Sequence, residues 1–153
     1  MGIQNRRICA LTVGLAIVLL SAPSTGASIV STFDSSEEGW SVNSGAGTVT
    51  WISPGGNPGG FASYRDDVAG LMLAIAPPAF HRDLRGFDGG ALSFDLIQLA
   101  TATGTDLPEL GTVTITSGSL SASLDLVPGV VSMSFWTSYA APLSASTWGV
   151  SQP

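Results

Sequence analysis

Apolar and polar residues alternate along most of the chain after residue 27, a pattern that predicts β-strands with one buried face. In the run 91–96 three apolar side chains (Leu92, Phe94 and Leu96) face one side, and serine and aspartate face the other. The runs 111–118 and 119–126 alternate in the same way, with Val113 and Ile115 in the first and Leu120, Ala122, Leu124 and Leu126 in the second. Gly118-Ser119 lies between these two runs and predicts a hairpin over 111–126.

Shorter segments of similar composition predict the remaining strands, at 31–34, 39–42, 47–53, 61–66, 71–75 and 130–140. Turn residues recur every eight to twelve positions or so, which is typical of sandwiches and barrels. No segment shows an amphipathic pattern with helical periodicity over several turns. Only 78–87 could hold one short helical turn, before Gly86. The sequence therefore predicts an all-β fold, an antiparallel two-sheet β-sandwich.

Residues 1–27 have a different pattern, which predicts a secretory signal peptide. Two arginines precede an apolar run at 8–20, and small residues follow it up to Ala27. Thirteen apolar residues in a helix measure only about 20 Å, too short for a bilayer core of about 30 Å, so a membrane anchor is disfavoured. We expect cleavage after Ala27, a secreted domain over 28–153, and no stable membrane insertion once the signal is removed.

The expected mature chain is strongly acidic. It contains three arginines, no lysine and all eleven carboxylates, a formal charge of −8, and it contains no cysteine because Cys9 lies in the signal. Such a surface repels nucleic acids and anionic lipids, so we expect no nucleic-acid partner. It is compatible with calcium, for which four acids beside turns are candidate ligands: Asp34, Glu37, Asp66 and Asp67.

The stretch PGGNPGG at 54–60 raises the question of a phosphate-binding loop. Such a loop needs free backbone N–H groups at a helix start and usually a lysine, and this stretch has two prolines, no lysine and a strand-like segment after it. A sharp turn is the favoured interpretation. His81, the only histidine, lacks a nucleophile motif around it, so we expect a surface position rather than a catalytic base.

Aromatic residues suggest a second kind of ligand. Trp51, Tyr64 and Trp136 could stack on sugar rings if they are exposed, whereas Trp40 is expected in the core. A glycoside-active enzyme would need two carboxyl groups facing each other across a cleft, about 5–10 Å apart. The adjacent pairs Glu37-Glu38 and Asp66-Asp67 fit this poorly, because neighbours on a strand point to opposite faces.

Three stretches together resemble the laminin B domain, also called laminin IV type A: FDSSEEGW at 33–40, GNPGGFASYRD at 56–66 and APPAFHRDLRGFDGGALSFDL at 76–96. The resemblance covers roughly residues 33–140. It implies a jelly-roll β-sandwich resembling galactose-binding-like domains and a structural or interaction module with no catalytic residues.

The sequence departs from the family pattern in two places. Asp88 stands where the family has an aromatic residue before its Gly-Gly, and the family's closing strand after a tryptophan comparable to Trp148 is not found before the sequence ends. Two alternatives stay open: a domain that is truncated at its C-terminus, or an open sheet edge that a partner strand covers.

These observations favour a secreted, non-enzymatic structural or adhesion module whose partner is an extracellular matrix or cell-surface protein. The alternative is a carbohydrate-binding module for extracellular glycans. Exposure of Trp51, Tyr64 or Trp136 in a shallow groove would favour the alternative, and their burial would favour the first interpretation.

Overall fold

The computed structural model describes residues 11–23, 26–66, 71–100, 111–126 and 135–151, and these residues form an all-β, antiparallel fold. Two single-turn 3-10 helices, Pro78–Phe80 and Arg85–Phe87, interrupt the strands. The strands in chain order are β1 Leu11–Ser21, β2 Ser28–Ser31, β3 Ser41–Val42, β4 Thr48–Ile52, β5 Phe61–Asp66, β6 Ala74–Ile75, β7 Ala91–Ala100, β8 Thr112–Ser117, β9 Leu120–Asp125, β10 Thr137–Pro142 and β11 Gly149–Ser151.

The largest sheet has six strands and is continuous only through β1. Its order is β10-β7-β1-β5-β4, with β2 as a further partner of β1. Strand β7 pairs along nearly the whole of one edge of β1, while β5 and β2 share the other edge, β5 beside 11–15 and β2 beside 18–21. All of these pairings are antiparallel, so β5 and β7 run parallel to each other on either side of β1.

Strand β1 coincides with most of the apolar run that predicts a signal peptide. Ala16, Val18 and Leu20 are buried in the sheet. A continuous apolar run of this length is typical both of a signal core and of a strand that is covered on both faces, so composition alone does not separate the two. The structure assigns the run a strand position, and cleavage after Ala27 stays a prediction.

The second sheet contains the predicted hairpin. Strands β8 and β9 pair with Ser117 opposite Leu120, so Gly118-Ser119 is the two-residue turn, and β11 adds to the other edge of β9. Val113, Ile115, Ala122 and Leu124 pack against the main core, which confirms the inward alternation. Leu120 departs from this alternation: it is the first residue after the turn, and its side chain is 45 % exposed.

The core lies between the six-stranded sheet and the hairpin sheet, as in a β-sandwich. Rings from the 33–40 segment contribute much of it: Trp40 is buried as predicted, and its ring lies 6.2 Å from Phe33 and 5.7 Å from Phe80. The indole N–H of Trp40 donates to Ser31 Oγ at 2.9 Å, so the polar atom at the centre of this cluster is paired. The other buried members of the core are Leu15, Val18, Leu20, Ile29, Ala62, Tyr64, Phe87, Leu92, Phe94, Leu96, Ala141 and Trp148.

Several predicted boundaries shift in the structure. Strand β5 matches the predicted 61–66 run, but the strand expected at 31–34 ends at Ser31, because Phe33 adopts φ 55 and starts a loop. Of the run 130–140, residues 137–140 belong to β10 and 130–134 lie outside the described residues.

His81 is exposed, as expected. Among the described residues, no helix is long and apolar enough to cross a membrane.

We predict that the hydrogen bond between Trp40 and Ser31 couples these residues energetically. Ser31→Ala leaves the buried indole N–H without an acceptor and should lower the free energy of unfolding by about 1–3 kcal/mol. In a Trp40→Phe background, where no N–H needs an acceptor, the same change should cost much less. Urea unfolding followed by circular dichroism measures the free energies of unfolding in this double-mutant cycle. If Ser31→Ala costs the same in both backgrounds, the two side chains are not coupled.

Candidate functional site

The glycine-proline turn at 54–60 folds back on itself after β4 and leads into β5. The backbone N–H groups of Gly55 and Gly56 both donate to the Gly59 carbonyl, at 3.1 and 2.8 Å. Gly60 lies so close to its neighbours that an added Cβ would come within 2.4 Å of the Phe33 carbonyl oxygen and 2.5 Å of Trp51 Nε1. A side chain cannot be accommodated there, and two of the turn's N–H groups are used internally, which supports the turn interpretation of the sequence.

The turn also reaches across β1 to the far side of the six-stranded sheet. Trp136, next to β10, donates its indole N–H to the Gly55 carbonyl at 2.9 Å, and Asn57 Nδ2 donates to Asp95 Oδ2 on β7 at 3.0 Å. Because β1 lies between β5 and β7, these two hydrogen bonds connect the two halves of the sheet over the top of β1. We call residues 54–60 the strap.

An apolar cluster lies beside the strap, on the sheet face that points away from the core. Phe61 and Trp136 meet edge to face with ring centroids 5.3 Å apart. Gly14 of β1 lies beneath them, and a Cβ added there would come within 2.9–3.0 Å of Ile97, Trp136 and Phe61. Glycine at position 14 is therefore what allows these three side chains to close over the strand.

This cluster continues into exposed apolar surface. Ile52 pairs with Phe61 across β4 and β5 and is 38 % exposed, while Phe135, the neighbour of Trp136, is 65 % exposed. Leu99 lies two residues beyond Ile97 on β7 and is also exposed. We call this surface the outer patch, with the members Ile52, Phe61, Ile97, Leu99, Phe135 and Trp136. Exposed apolar surface with a polar rim is typical of interaction sites, and Asp95 and the exposed Asp34 lie beside the strap at its rim.

The three predicted sugar-stacking residues do not share one surface. Trp51 pairs with Ala62 on the core face, where it packs against the core and donates its indole N–H to the Phe33 carbonyl at 2.8 Å. Tyr64 lies on the same face and is only 3 % exposed. Trp136 lies on the opposite face of β5, against Phe61. Both indole N–H groups are therefore bonded within the protein, and the rings lie on two faces of one sheet.

Tyr64 carries the buried side-chain polar atom for which the described part of the structure shows no hydrogen-bond partner, its hydroxyl. Desolvation by burial raises its pKa well above the ordinary value for tyrosine. At the surface, hydrogen bonds from Arg85 lower the pKa of Asp83 to about 2, within an exposed ion pair. One shift comes from core burial and the other from a surface pair, so neither identifies a catalytic group.

Two of the candidate calcium ligands, Asp34 and Asp66, lie far apart in the structure. Asp34 is beside Gly59, at the strap end of β5, whereas Asp66 is at the other end of that strand, about 17 Å of extended chain away. Glu37 is exposed in the 32–38 loop, and Asp67 lies outside the described residues. Among the described residues no group of three or more acids, histidines or cysteines is close enough to hold a metal ion.

Glu38, to which the sequence pattern assigns no role, organises the 32–38 loop. Its carboxylate accepts the backbone N–H of Phe33 at 2.6 Å and of Thr32 at 3.1 Å, and the Thr32 hydroxyl at 3.3 Å. Its backbone has φ 53, which is unusual for a residue other than glycine. The sequence pattern does not indicate a role for Phe135 or Asp95 either. Nothing in the sequence distinguishes Glu38 from Glu37, because the difference depends on which way the loop turns.

No family model, curated protein or solved structure matches this chain in the three comparisons with known proteins. The laminin B resemblance therefore stays a prediction based on the three stretches that carry it, and so does the jelly-roll topology. The all-β antiparallel architecture is shown by the structure itself.

We predict that Tyr64→Phe stabilises the protein. The change keeps the ring in the core and removes a buried hydroxyl that has no partner, so the free energy of unfolding should rise by about 1 kcal/mol. Urea unfolding measures it, with Tyr139→Phe on β10, a half-buried tyrosine, as the control that should change little. A loss of stability in Tyr64→Phe would show that the hydroxyl has a partner.

We also predict that Glu38→Gln lowers the stability of the protein more than Glu37→Gln does. Glu38→Gln replaces one acceptor oxygen with an NH₂ group facing two backbone donors, and should destabilise the protein by about 1–2 kcal/mol. Glu37→Gln removes the same charge from an exposed neighbour and should have little effect. Chemical unfolding of both variants tests this, and equal stabilities would mean that the loop does not depend on the Glu38 carboxylate.

Proposed function

We propose that this protein is a secreted, non-enzymatic structural or adhesion module, of the type that the laminin B resemblance implies, and that it contacts an extracellular matrix or cell-surface protein. The observation that carries the proposal is the outer patch, where Ile52 on β4 and Phe135, the residue before Trp136, expose apolar side chains. Apolar surface of this kind supports protein–protein contact, because burying it against a partner is favourable without specific polar groups.

The arrangement of the rings favours a protein partner over a sugar. A sugar-binding platform needs ring faces exposed on one surface, and here Trp51 and Tyr64 pack on the core face while Trp136 lies on the opposite face. One observation favours the alternative, a carbohydrate-binding module: Phe135 is exposed beside the half-buried Trp136, and together they could offer one stacking position.

The charges around the outer patch indicate what kind of partner surface would bind it. The chain from residue 28 onward carries a formal charge of −8, and the acids Asp34 and Asp95 flank the strap beside the patch. Acidic surroundings around an apolar centre favour a partner surface that is apolar at its centre and basic at its rim. Salt should therefore slow association more than it weakens the final complex.

We predict that adhesion depends on the outer patch. Beads coated with the full chain should be retained on immobilised fibronectin or collagen more than on a polysaccharide panel. The double change Ile52→Ser and Phe135→Ser should reduce retention about fivefold, equivalent to about 1 kcal/mol of binding free energy. Leu71→Ser is the control, because Leu71 is about as exposed as Phe135 (68 % against 65 %) but lies ahead of β6 and is not a member of the patch.

Retention by the polysaccharide panel that is lost in Phe135→Ser would support the carbohydrate-binding alternative instead. Retention on the protein surfaces that is unchanged in the double variant would contradict the assignment of the outer patch.

A further inference from the structure

The six-stranded sheet contains a position one strand wide between β5 and β7. Both strands pair with β1 and neither pairs with the other, so they lie about 10 Å apart, twice the usual spacing between strands. On the β7 side the pairing extends from Thr12 to Ser21, with bulges near its start and middle. The position between them is a slot that a single extended segment fills.

Contacts that do not involve β1 also connect the two sides of the slot. The strap is continuous with β5, and it is hydrogen-bonded to Asp95 of β7 and to Trp136 beside β10. Phe61 of β5 packs on Trp136 across the same gap. These contacts link the two sides of the slot over the outer face.

The surroundings of the slot determine which residue types fit on each face of the strand that fills it. The side chains of Leu15, Val18 and Leu20 are buried on the core side. On the outer side glycine is favoured at position 14, because a Cβ would come within 3.0 Å of Ile97, Trp136 and Phe61 unless those side chains shift, and Ala16 is wholly buried. The matching occupant is an apolar strand that is antiparallel to both neighbours, with glycine and then a small residue two positions later on its outer face.

The segment that fills the slot is also the segment that the sequence pattern assigns to export. Hydrolysis of the peptide bond between Ala27 and Ser28 consumes water and releases residues 1–27, and with them the whole of β1. The release would expose the inner edges of β5 and β7 and leave β2 without the strand it pairs with. Unpaired edges beside apolar core residues readily take up another strand.

We propose that the slot between β5 and β7 is a strand-acceptor site. Residues 11–21 fill it in the full chain, and in the exported chain an apolar strand of a partner protein fills it in trans, antiparallel to β5 and β7. This inference rests on the proposed function, because export is the step that removes residues 1–27. It defines a second kind of contact, made through backbone pairing inside the sheet rather than through side chains on the outer patch.

The test uses the full chain with a specific protease site inserted in the connection between β1 and β2, which is closed by the hydrogen bond from Ala22 N–H to the Ala27 carbonyl. After nicking, β1 is held only by non-covalent contacts. A fluorescent peptide of residues 10–22 with a solubilising tail is then added in excess. We expect the nicked protein to keep its near-ultraviolet circular dichroism, and the labelled peptide to replace the original β1 in a saturable manner.

Two variant peptides test the specificity of the slot. A peptide with Gly14→Val should bind about tenfold more weakly or worse, because its side chain would overlap Ile97, Trp136 and Phe61. A peptide with Leu19→Val is the matched control and should bind like the parent, because Leu19 is only half-buried. Absence of exchange, or equal binding of the Gly14→Val and parent peptides, would overturn the acceptor site.

The mass of the exported protein tests the part of the inference that concerns the partner. A chain that begins at Ser28, and that binds the residue 10–22 peptide with the same dependence on Gly14, supports a strand donated in trans. An exported chain that still contains residues 11–21 overturns it, because the slot is then filled from within. Bead adhesion through Ile52 and Phe135 is measured separately, so failure of the peptide exchange and failure of the proposed function are distinguishable.

Discussion

The close packing at Gly14 is the constraint on which the rest of the sheet depends. Strand β1 connects β5 with β7, and at Gly14 the backbone approaches three side chains that close over it. A residue with a Cβ would push Trp136 away from the strand, and Trp136 in turn holds the strap through its bond to Gly55. One glycine thus links the continuity of the sheet, the position of the strap and the shape of the outer patch.

The strap explains why a stretch with the composition of a ligand loop is a structural element here. Its glycines allow tight backbone approach, as in phosphate loops, but the N–H groups of Gly55 and Gly56 are directed into the turn and the Asn57 side chain bonds to Asp95. The 32–38 loop is fixed in a comparable way by the Glu38 carboxylate. In both loops these polar groups bond within the protein rather than to a ligand.

The two proposed contacts use different physical interactions. The outer patch offers side-chain area, which any complementary apolar surface can cover, whereas the slot offers backbone pairing on two edges and a steric requirement at one position. Backbone pairing supplies affinity, and the glycine position supplies selectivity. A module that uses both would be attached through the slot and would make further contacts through the patch.

The sequence by itself determined the all-β class, the hairpin at Gly118-Ser119, the alternation in β7 and β8, and the core position of Trp40, because these depend on local periodicity and turn chemistry. It did not determine which carboxylate of the Glu37-Glu38 pair organises a loop, nor that Trp51 and Trp136 lie on opposite faces of β5, because those depend on loop direction and strand register. The apolar run at 8–20 shows most clearly what the sequence composition does not decide. A signal core and a strand covered on both faces require the same residues, and only the tertiary structure, by placing β5 and β7 on either side of it, assigns most of the run to the middle of a sheet.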